Sequence, residues 1–287
     1  MRPLMNRIDA RFRTLREQGE KGLIIYIGAG DPDLRATEEL TLAFERAGAD
    51  VIELGAPFSD PLADGPVNQL AAQRGLASGT TPRKVLETVA SIRKRSQIPI
   101  VLYLYYNLVH RFGQETFIRQ AAASGVDGLL ILDLPPEEAE EYDRLMRAAD
   151  LRPIYLVAPT TPEERIARIV RRAAGFIYYV SREGVTGRRT AIGKQIEERV
   201  ALIRRFTDLP VAVGFGIAAP EQAKQVAAFA DAAVVGSAVV DRIGRLGRSP
   251  ELVPQTAAFV RSLAEAIKGG AAPFPGSNAP AAETRKP

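Results

Sequence analysis

Three carboxylates within fourteen residues are the strongest candidates for chemistry in this chain. Residues 53–66 read E-L-G-A-P-F-S-D-P-L-A-D-G-P, and the acids in this stretch are Glu53, Asp60 and Asp64. Glu53 lies inside an apolar run, V-I-E-L, where burial is expected to raise the pKa of its carboxyl and suit it to general acid–base catalysis. An ion-paired structural glutamate is the alternative. Asp-Pro and Asp-Gly are also turn sequences, so physics alone does not separate the roles of Asp60 and Asp64.

Three loops that contain glycine form a second group of candidates. They follow successive predicted strands and read G-V-T-G (184–187), G-F-G (214–216) and G-S (236–237). Backbone N–H groups in such loops approach an anion closely, and a helix starting near Ser237 would add the positive end of its dipole. One loop alone would indicate only a tight turn, whereas three on adjacent strands predict a phosphate site. Its candidate residues are those of the three loops, 184–187, 214–216 and 236–237.

Apolar and aromatic residues are predicted between the carboxylates and the phosphate loops. They indicate a ligand that is a phosphate monoester carrying a flat apolar group. The candidate pocket residues at the ends of the predicted strands are Tyr26, Tyr105, Leu130, Tyr178 and Phe215.

Eight short apolar runs, each followed by an amphipathic helical pattern, supply the elements that would position these residues. Runs rich in Val, Ile and Leu without polar alternation are typical of parallel strands buried on both faces. Eight such units predict an α/β fold, a (β/α)8 TIM barrel with an extra N-terminal helix near residues 3–18. An open doubly wound sheet is the alternative. The expected strands are Leu23–Ile27, Val51–Leu54, Ile100–Tyr105, Gly128–Leu132, Ile154–Val157, Phe176–Val180, Val211–Gly214 and Ala232–Val235.

The same pattern predicts one barrel domain over residues 1–268. Residues 269–287 are rich in Gly, Ala and Pro without hydrophobic periodicity, which favours a disordered tail. In a barrel of this class, function resides in the loops after the carboxyl ends of the strands. The predicted carboxylates, glycine loops and aromatic residues all fall at those ends.

Composition excludes several kinds of site. The chain has no cysteine, so disulfides, zinc thiolate sites and thiol catalysis are excluded, and the single histidine, His110, leaves no His-rich metal centre. The net charge is +4, but its arginines are spread over predicted helices, which favours solvated helix faces over a nucleic-acid partner. No apolar run has the length of about 20 residues that a membrane span needs, and no secretory signal is evident. A cytoplasmic protein is expected.

Taken in chain order, the motifs resemble one known family, the tryptophan synthase alpha chain. The likeness covers about residues 5–267, and the fourteen-residue stretch is its most specific part. It implies a lyase, without metal or cofactor, that performs the reversible retro-aldol cleavage of indole-3-glycerol phosphate to indole and glyceraldehyde 3-phosphate. The motifs are A-G-D-P (29–32), the stretch at 53–66, Y-x-N (105–107), G-V-T-G (184–187), G-F-G-I (214–217) and G-S-A (236–238).

The resemblance implies roles for individual residues. Glu53 would be the general acid–base, Asp64 would hold the indole N–H, and Tyr178 would be the active-site tyrosine. Loop 182–189, which contains Arg182 and Thr186, would close over the site and exclude water. The phosphate-binding positions of the family fall on Gly187, Gly216, Gly236 and Ser237.

A partner protein is also implied by the resemblance. Asp60 and Pro61 would face the beta chain, the pyridoxal-phosphate subunit that consumes indole, in an alpha2-beta2 heterotetramer. Two other functions remain open: a stand-alone lyase, and a non-catalytic alpha-like barrel that activates the partner. Retention of both Glu53 and Asp64 argues against the non-catalytic barrel. A phosphate-sugar isomerase is the weakest alternative, because it leaves the second half of the 53–66 stretch unexplained.

Overall fold

A computed structural model describes residues 5–180, 189–214 and 216–269. Eight parallel strands close into a barrel in chain order, each strand pairing with the next and the eighth with the first. The predicted TIM barrel is therefore confirmed. The strands are β1 (Gly22–Gly28), β2 (Val51–Gly55), β3 (Ile100–Leu104), β4 (Gly128–Ile131), β5 (Arg152–Val157), β6 (Ile177–Val180), β7 (Val211–Gly214) and β8 (Ala232–Val235).

Helices alternate with the strands along the chain, and a 3-10 turn at Pro136–Glu138 precedes the seventh helix. None of the helices in the described part of the chain is long and apolar enough to cross a membrane. The helices are α1 (Arg7–Gln18), α2 (Leu34–Arg46), α3 (Pro66–Ala77), α4 (Pro82–Arg93), α5 (Tyr106–Phe112), α6 (Gln114–Ser124), α7 (Glu140–Ala148), α8 (Glu163–Arg172), α9 (Arg189–Arg204), α10 (Pro220–Ala227), α11 (Ser237–Leu246) and α12 (Leu252–Lys268).

The extra N-terminal helix α1 closes one end of the barrel. Asn6 caps it by accepting a hydrogen bond from the backbone N–H of Ile8. The buried side chains of Ile8, Phe12 and Leu15 pack in one cluster with residues that point into the barrel. Alternate residues of each strand point inward. The inward-facing residues of this cluster are Ile24, Val51, Val101, Leu130, Ile154, Phe176, Ala212, Ala232 and Val234.

Buried aspartates fix the starts of neighbouring strands on the α1 side. Asp50, just before β2, accepts a hydrogen bond from the backbone N–H of Leu23 in β1. Asp127, just before β4, does the same for Ile100 at the start of β3, and its carboxylate also accepts from Arg93 at 2.7 Å. These aspartates are 1% and 3% exposed. At the end of the barrel opposite the predicted site, the hydrogen bonds and ion pairs of these aspartates thus hold the strands in register.

Helix α3 lies between the acidic stretch and α4, and no helix is predicted there from the sequence. Gly65 and Pro66 start α3 immediately after the acidic stretch, and only Ala71 and Gly75 of this helix are buried. Two small buried residues leave no apolar stripe in the sequence. The tail at 269–287 that was predicted to be disordered lies outside the described residues, except for Gly269.

Candidate active site

Glu53 lies in the middle of β2 and points into the barrel, two residues after the inward-facing Val51. Its side chain is fully buried, and no donor in the described part of the chain reaches either carboxylate oxygen. Because an isolated buried charge is costly, burial raises the pKa of this carboxyl to about 8. Glu53 is therefore a carboxylic acid that keeps its proton near neutral pH and has both oxygens free to meet a ligand.

Asp64 lies in the loop between β2 and α3, where its backbone N–H closes a turn by donating to the carbonyl of Pro61. Each oxygen of its carboxylate accepts a hydrogen bond from a different phenol. The hydroxyl of Tyr103 donates to Oδ1 at 2.9 Å, and the hydroxyl of Tyr105 donates to Oδ2 at 2.9 Å. In contrast to Glu53, Asp64 is a half-buried carboxylate held by neutral donors.

Two tyrosines flank Glu53, and each packs on a glycine of the next strand. A Cβ added at Gly55 would lie 2.9 Å from the ring of Tyr26, and one at Gly214 would lie 2.7 Å from the hydroxyl of Tyr178. Burial is the largest cause that raises the pKa of both phenols, and the charge of Glu53 adds to the increase in each. The two glycines therefore make room for inward tyrosines on either side of the acid.

A narrow cleft opens over Asp64 at the carboxyl ends of β1, β2 and β3. The rings of Tyr26 and Tyr103 meet edge to face with centroids 4.9 Å apart, and those of Phe58 and Tyr105 stack at 5.1 Å. Such walls suit a flat apolar group whose polar edge meets the carboxylate. The cleft is lined by Tyr26, Gly28, Gly55, Ala56, Pro57, Phe58, Pro61, Asp64, Ala72, Tyr103 and Tyr105.

The other side of the barrel mouth carries the glycine loops. Helix α11 begins at Ser237, directly after β8, with Gly236 as its N-cap and no side chain bound to its first N–H groups. Gly236 is half-buried, Ser237 is exposed, and Gly216 is exposed with φ of +58°, a conformation that favours glycine. The free N–H groups and the helix dipole give this position the chemistry of an anion site.

The remaining predicted residues divide into three groups. Leu130 is fully buried among the inward-facing residues of the barrel, below the cleft. Asp60 is exposed and accepts a hydrogen bond from the hydroxyl of Ser59, and Pro61 lines the cleft beside it. Arg182, Thr186, Gly187 and Phe215 lie outside the described residues.

Tyr103 is the site residue that the sequence analysis missed. It lies two residues before Tyr105, so both side chains point to the same face of β3. The signal was the alternation V-x-Y-x-Y from Val101, an inward-facing residue, to Tyr105. Within residues 5–180, 189–214 and 216–269, no group of three His, Cys, Asp or Glu side chains is arranged to hold a metal.

Comparison with known proteins identifies the family of this chain. A family described as "Tryptophan synthase alpha chain" matches residues 12–268. The chain belongs to the tryptophan synthase alpha chain family. The alpha chain of Citrifermentans bemidjiense is 49% identical over 266 residues, which cover 93% of this chain and 99% of that protein. The alpha chain of Opitutus terrae is 51% identical over 256 residues, 89% of this chain and 96% of that protein.

Solved structures extend the similarity to the fold. The alpha subunit of Legionella pneumophila matches with a TM-score of 0.85 and 39% identity, over 92% of this chain and 99% of that chain. A chain of tryptophan synthase from Mycobacterium tuberculosis, in an aminoacrylate-bound form, matches with a TM-score of 0.82 and 32% identity, over 92% and 100%. As a member of the tryptophan synthase alpha family, the chain is a carbon–carbon lyase of tryptophan biosynthesis that cleaves indole-3-glycerol phosphate to indole and glyceraldehyde 3-phosphate.

Proposed function

We propose that Glu53 carries out both proton transfers of this cleavage. Because burial raises its pKa to about 8, the carboxyl holds a proton near neutral pH and donates it to C3 of the indole ring. The resulting carboxylate then takes the proton of the glycerol hydroxyl as the bond from C3 to the hydroxyl-bearing carbon breaks. Indole and an aldehyde leave, and Glu53 is protonated again. The single observation that carries this proposal is the fully buried carboxyl of Glu53, which points into the barrel and which no donor in the described part of the chain reaches.

Asp64 is proposed to stabilise the ring during the first transfer. Protonation at C3 makes the ring cationic, and the positive charge is concentrated at the ring nitrogen. The carboxylate of Asp64 lies against the cleft walls of Tyr26 and Tyr103, where a flat ring fits. A carboxylate accepts up to four hydrogen bonds, so the two phenols leave capacity for the indole N–H. Tyr178 is proposed as a wall on the other side of Glu53, with Leu130 below it.

The phosphate is proposed to bind at the start of α11, through the backbone of Gly236 and Ser237 and the nearby Gly216. Unbound N–H groups at this helix terminus and its dipole support this role. Gly187 and Phe215 are assigned to the same side of the mouth by the family motifs, and Arg182 and Thr186 to a loop that closes over it. The chemistry requires only proton transfers and anion binding, which protein groups supply without a metal or cofactor.

A beta chain is proposed as the partner, in an alpha2-beta2 heterotetramer with pyridoxal phosphate on the partner alone. The loop that holds Asp64 supports this proposal. On its outer side Asp60 is exposed, and the neighbouring Leu62 exposes 89% of its surface, the largest exposure of any large hydrophobic residue in the described part of the chain. A partner that covers this loop would receive indole close to where it is released. The cytoplasm, where tryptophan biosynthesis would take place, is the proposed location.

The test is indole release from indole-3-glycerol phosphate by the full chain, with and without a beta chain. Wild type is expected to release indole in both conditions and faster with the partner. Glu53→Gln is expected to release none in either condition. The matched control Asp60→Asn should keep the rate of the isolated chain and lose part of the stimulation. Equal wild-type rates in both conditions would favour a stand-alone lyase, and no wild-type release in either would favour a non-catalytic partner of the beta chain.

A further inference from the structure

Two phenols at the carboxyl end of β3 hold the carboxylate of Asp64 between them. Tyr103 and Tyr105 are two residues apart, and each donates to a different carboxylate oxygen at 2.9 Å. The two contacts differ in one respect. The hydroxyl of Tyr105 also accepts a hydrogen bond from the backbone N–H of Ala63 at 2.9 Å, so Tyr105 holds the loop as well as the carboxylate. The hydroxyl of Tyr103, in contrast, is bonded in the described structure to the side chain of Asp64 and not to the backbone of the loop.

The ring of Tyr103 is itself fixed by the barrel. It packs against the inward-facing cluster below and against a second cluster formed by Tyr26, Ala71 and Val240. Tyr26 meets it edge to face at 4.9 Å, which leaves the ring little freedom to turn. The phenol of Tyr103 is thus a rigid donor anchored in the barrel, whereas Asp64 lies on a loop with exposed residues on both sides.

We propose that Tyr103 is a positioning residue that sets the orientation of the Asp64 carboxylate for the ring nitrogen of the substrate. This inference rests on the proposed role of Asp64. A carboxylate that stabilises a charge developing in the transition state has its full effect only when its direction is fixed beforehand. Tyr105 fixes the position of the loop and of Oδ2, and Tyr103 fixes Oδ1 and thereby the direction in which the carboxylate faces. Loss of the Tyr103 hydroxyl therefore reduces the stabilisation of the transition state more than it reduces the affinity for substrate.

The experiment compares steady-state indole release by full-length variants. Tyr103→Phe keeps the ring and removes the donor, so kcat is expected to fall between about tenfold and a hundredfold, the effect of losing a hydrogen bond to a charged group. KM for indole-3-glycerol phosphate should stay within about twofold, because orientation acts mainly in the transition state. The matched control is Tyr106→Phe, whose hydroxyl donates to Gln114 instead and whose loss should leave kcat unchanged.

A double-mutant cycle separates this inference from the proposal on which it rests. If Tyr103 acts through Asp64, adding Tyr103→Phe to Asp64→Asn should change kcat by less than about twofold. Independent effects that multiply in the double variant would overturn the positioning role, as would a wild-type kcat for Tyr103→Phe. If Asp64→Asn alone keeps wild-type kcat, the proposed role of Asp64 fails first. Urea unfolding of each variant identifies any loss of kcat that comes from a damaged fold.

Discussion

Substitution of Glu53 by glutamine should make stability less dependent on pH. Glu53 has a pKa near 4.5 in the unfolded chain and about 8 when folded, because burial disfavours its charge. A raised pKa stabilises the fold fully below the unfolded value, and that contribution is lost as pH rises through the folded value. One pKa unit corresponds to about 1.4 kcal/mol, so the free energy of unfolding of wild type falls by about 5 kcal/mol in total. About 3 kcal/mol of this decrease occurs between pH 5.5 and pH 8.5. The glutamine amide of the variant does not ionise, so the free energy of unfolding of the variant does not fall for this reason.

The assay is urea unfolding of wild type and Glu53→Gln at several pH values across this window. Other titrating groups are common to both proteins and cancel in the difference of their unfolding free energies. That difference should shift in favour of the variant by about 3 kcal/mol as pH rises. Glu87→Gln, an exposed glutamate of α4, controls for the loss of a carboxyl as such. If the difference between the two unfolding free energies stays constant within about 0.5 kcal/mol, the pKa of Glu53 is not raised by burial. Glu53 would then be charged and stabilised in the folded protein.

Two further predictions concern packing and charge. Gly55→Ala places a Cβ 2.9 Å from the ring of Tyr26, so we expect the free energy of unfolding in urea to fall by about 1–3 kcal/mol and indole release to be slower. If Gly55→Ala has the same cost in a Tyr26→Leu background, where the ring is absent, the clash with Tyr26 is not the cause. Asp127→Asn leaves the 10% exposed Arg93 without its charge partner and should cost about 3–5 kcal/mol, whereas Asp150→Asn, with a side chain 64% exposed, should cost under about 1 kcal/mol. Similar losses in the two aspartate variants would argue against the buried ion pair.

The barrel could be predicted from the sequence because its strands are buried on both faces and are therefore continuously apolar. The buried position of Glu53 was predictable for the same reason, since a lone acid in such a run has an interior position. Helix α3 could not be recognised, because Ala71 and Gly75 are its only buried residues and small side chains give no periodic signal. Helix α1 begins at Arg7, a few residues after its predicted start, because Asn6 supplies its N-cap.

The surroundings of Asp64 required the folded chain. Its donors Tyr103 and Tyr105 lie 39 and 41 residues away in sequence, and the pairing of β2 with β3, together with the turn that closes on Pro61, brings them close to Asp64. The physical reading of the sequence left Asp60 and Asp64 equivalent. In the structure they differ plainly, because Asp60 is exposed and Asp64 is held over the cleft. Family resemblance supplied the distinction that local chemistry did not.

In the proposed mechanism, the carboxyl of Glu53 holds a proton near neutral pH and transfers it during cleavage. Infrared difference spectra of wild type and Glu53→Gln, recorded across a pH titration, test this claim directly through the carbonyl band of a protonated carboxylic acid. We expect a band in wild type that disappears with a midpoint near pH 8 and is absent from the variant, which should also release no indole. A midpoint near 4.5, or near-normal indole release by the variant, would contradict it.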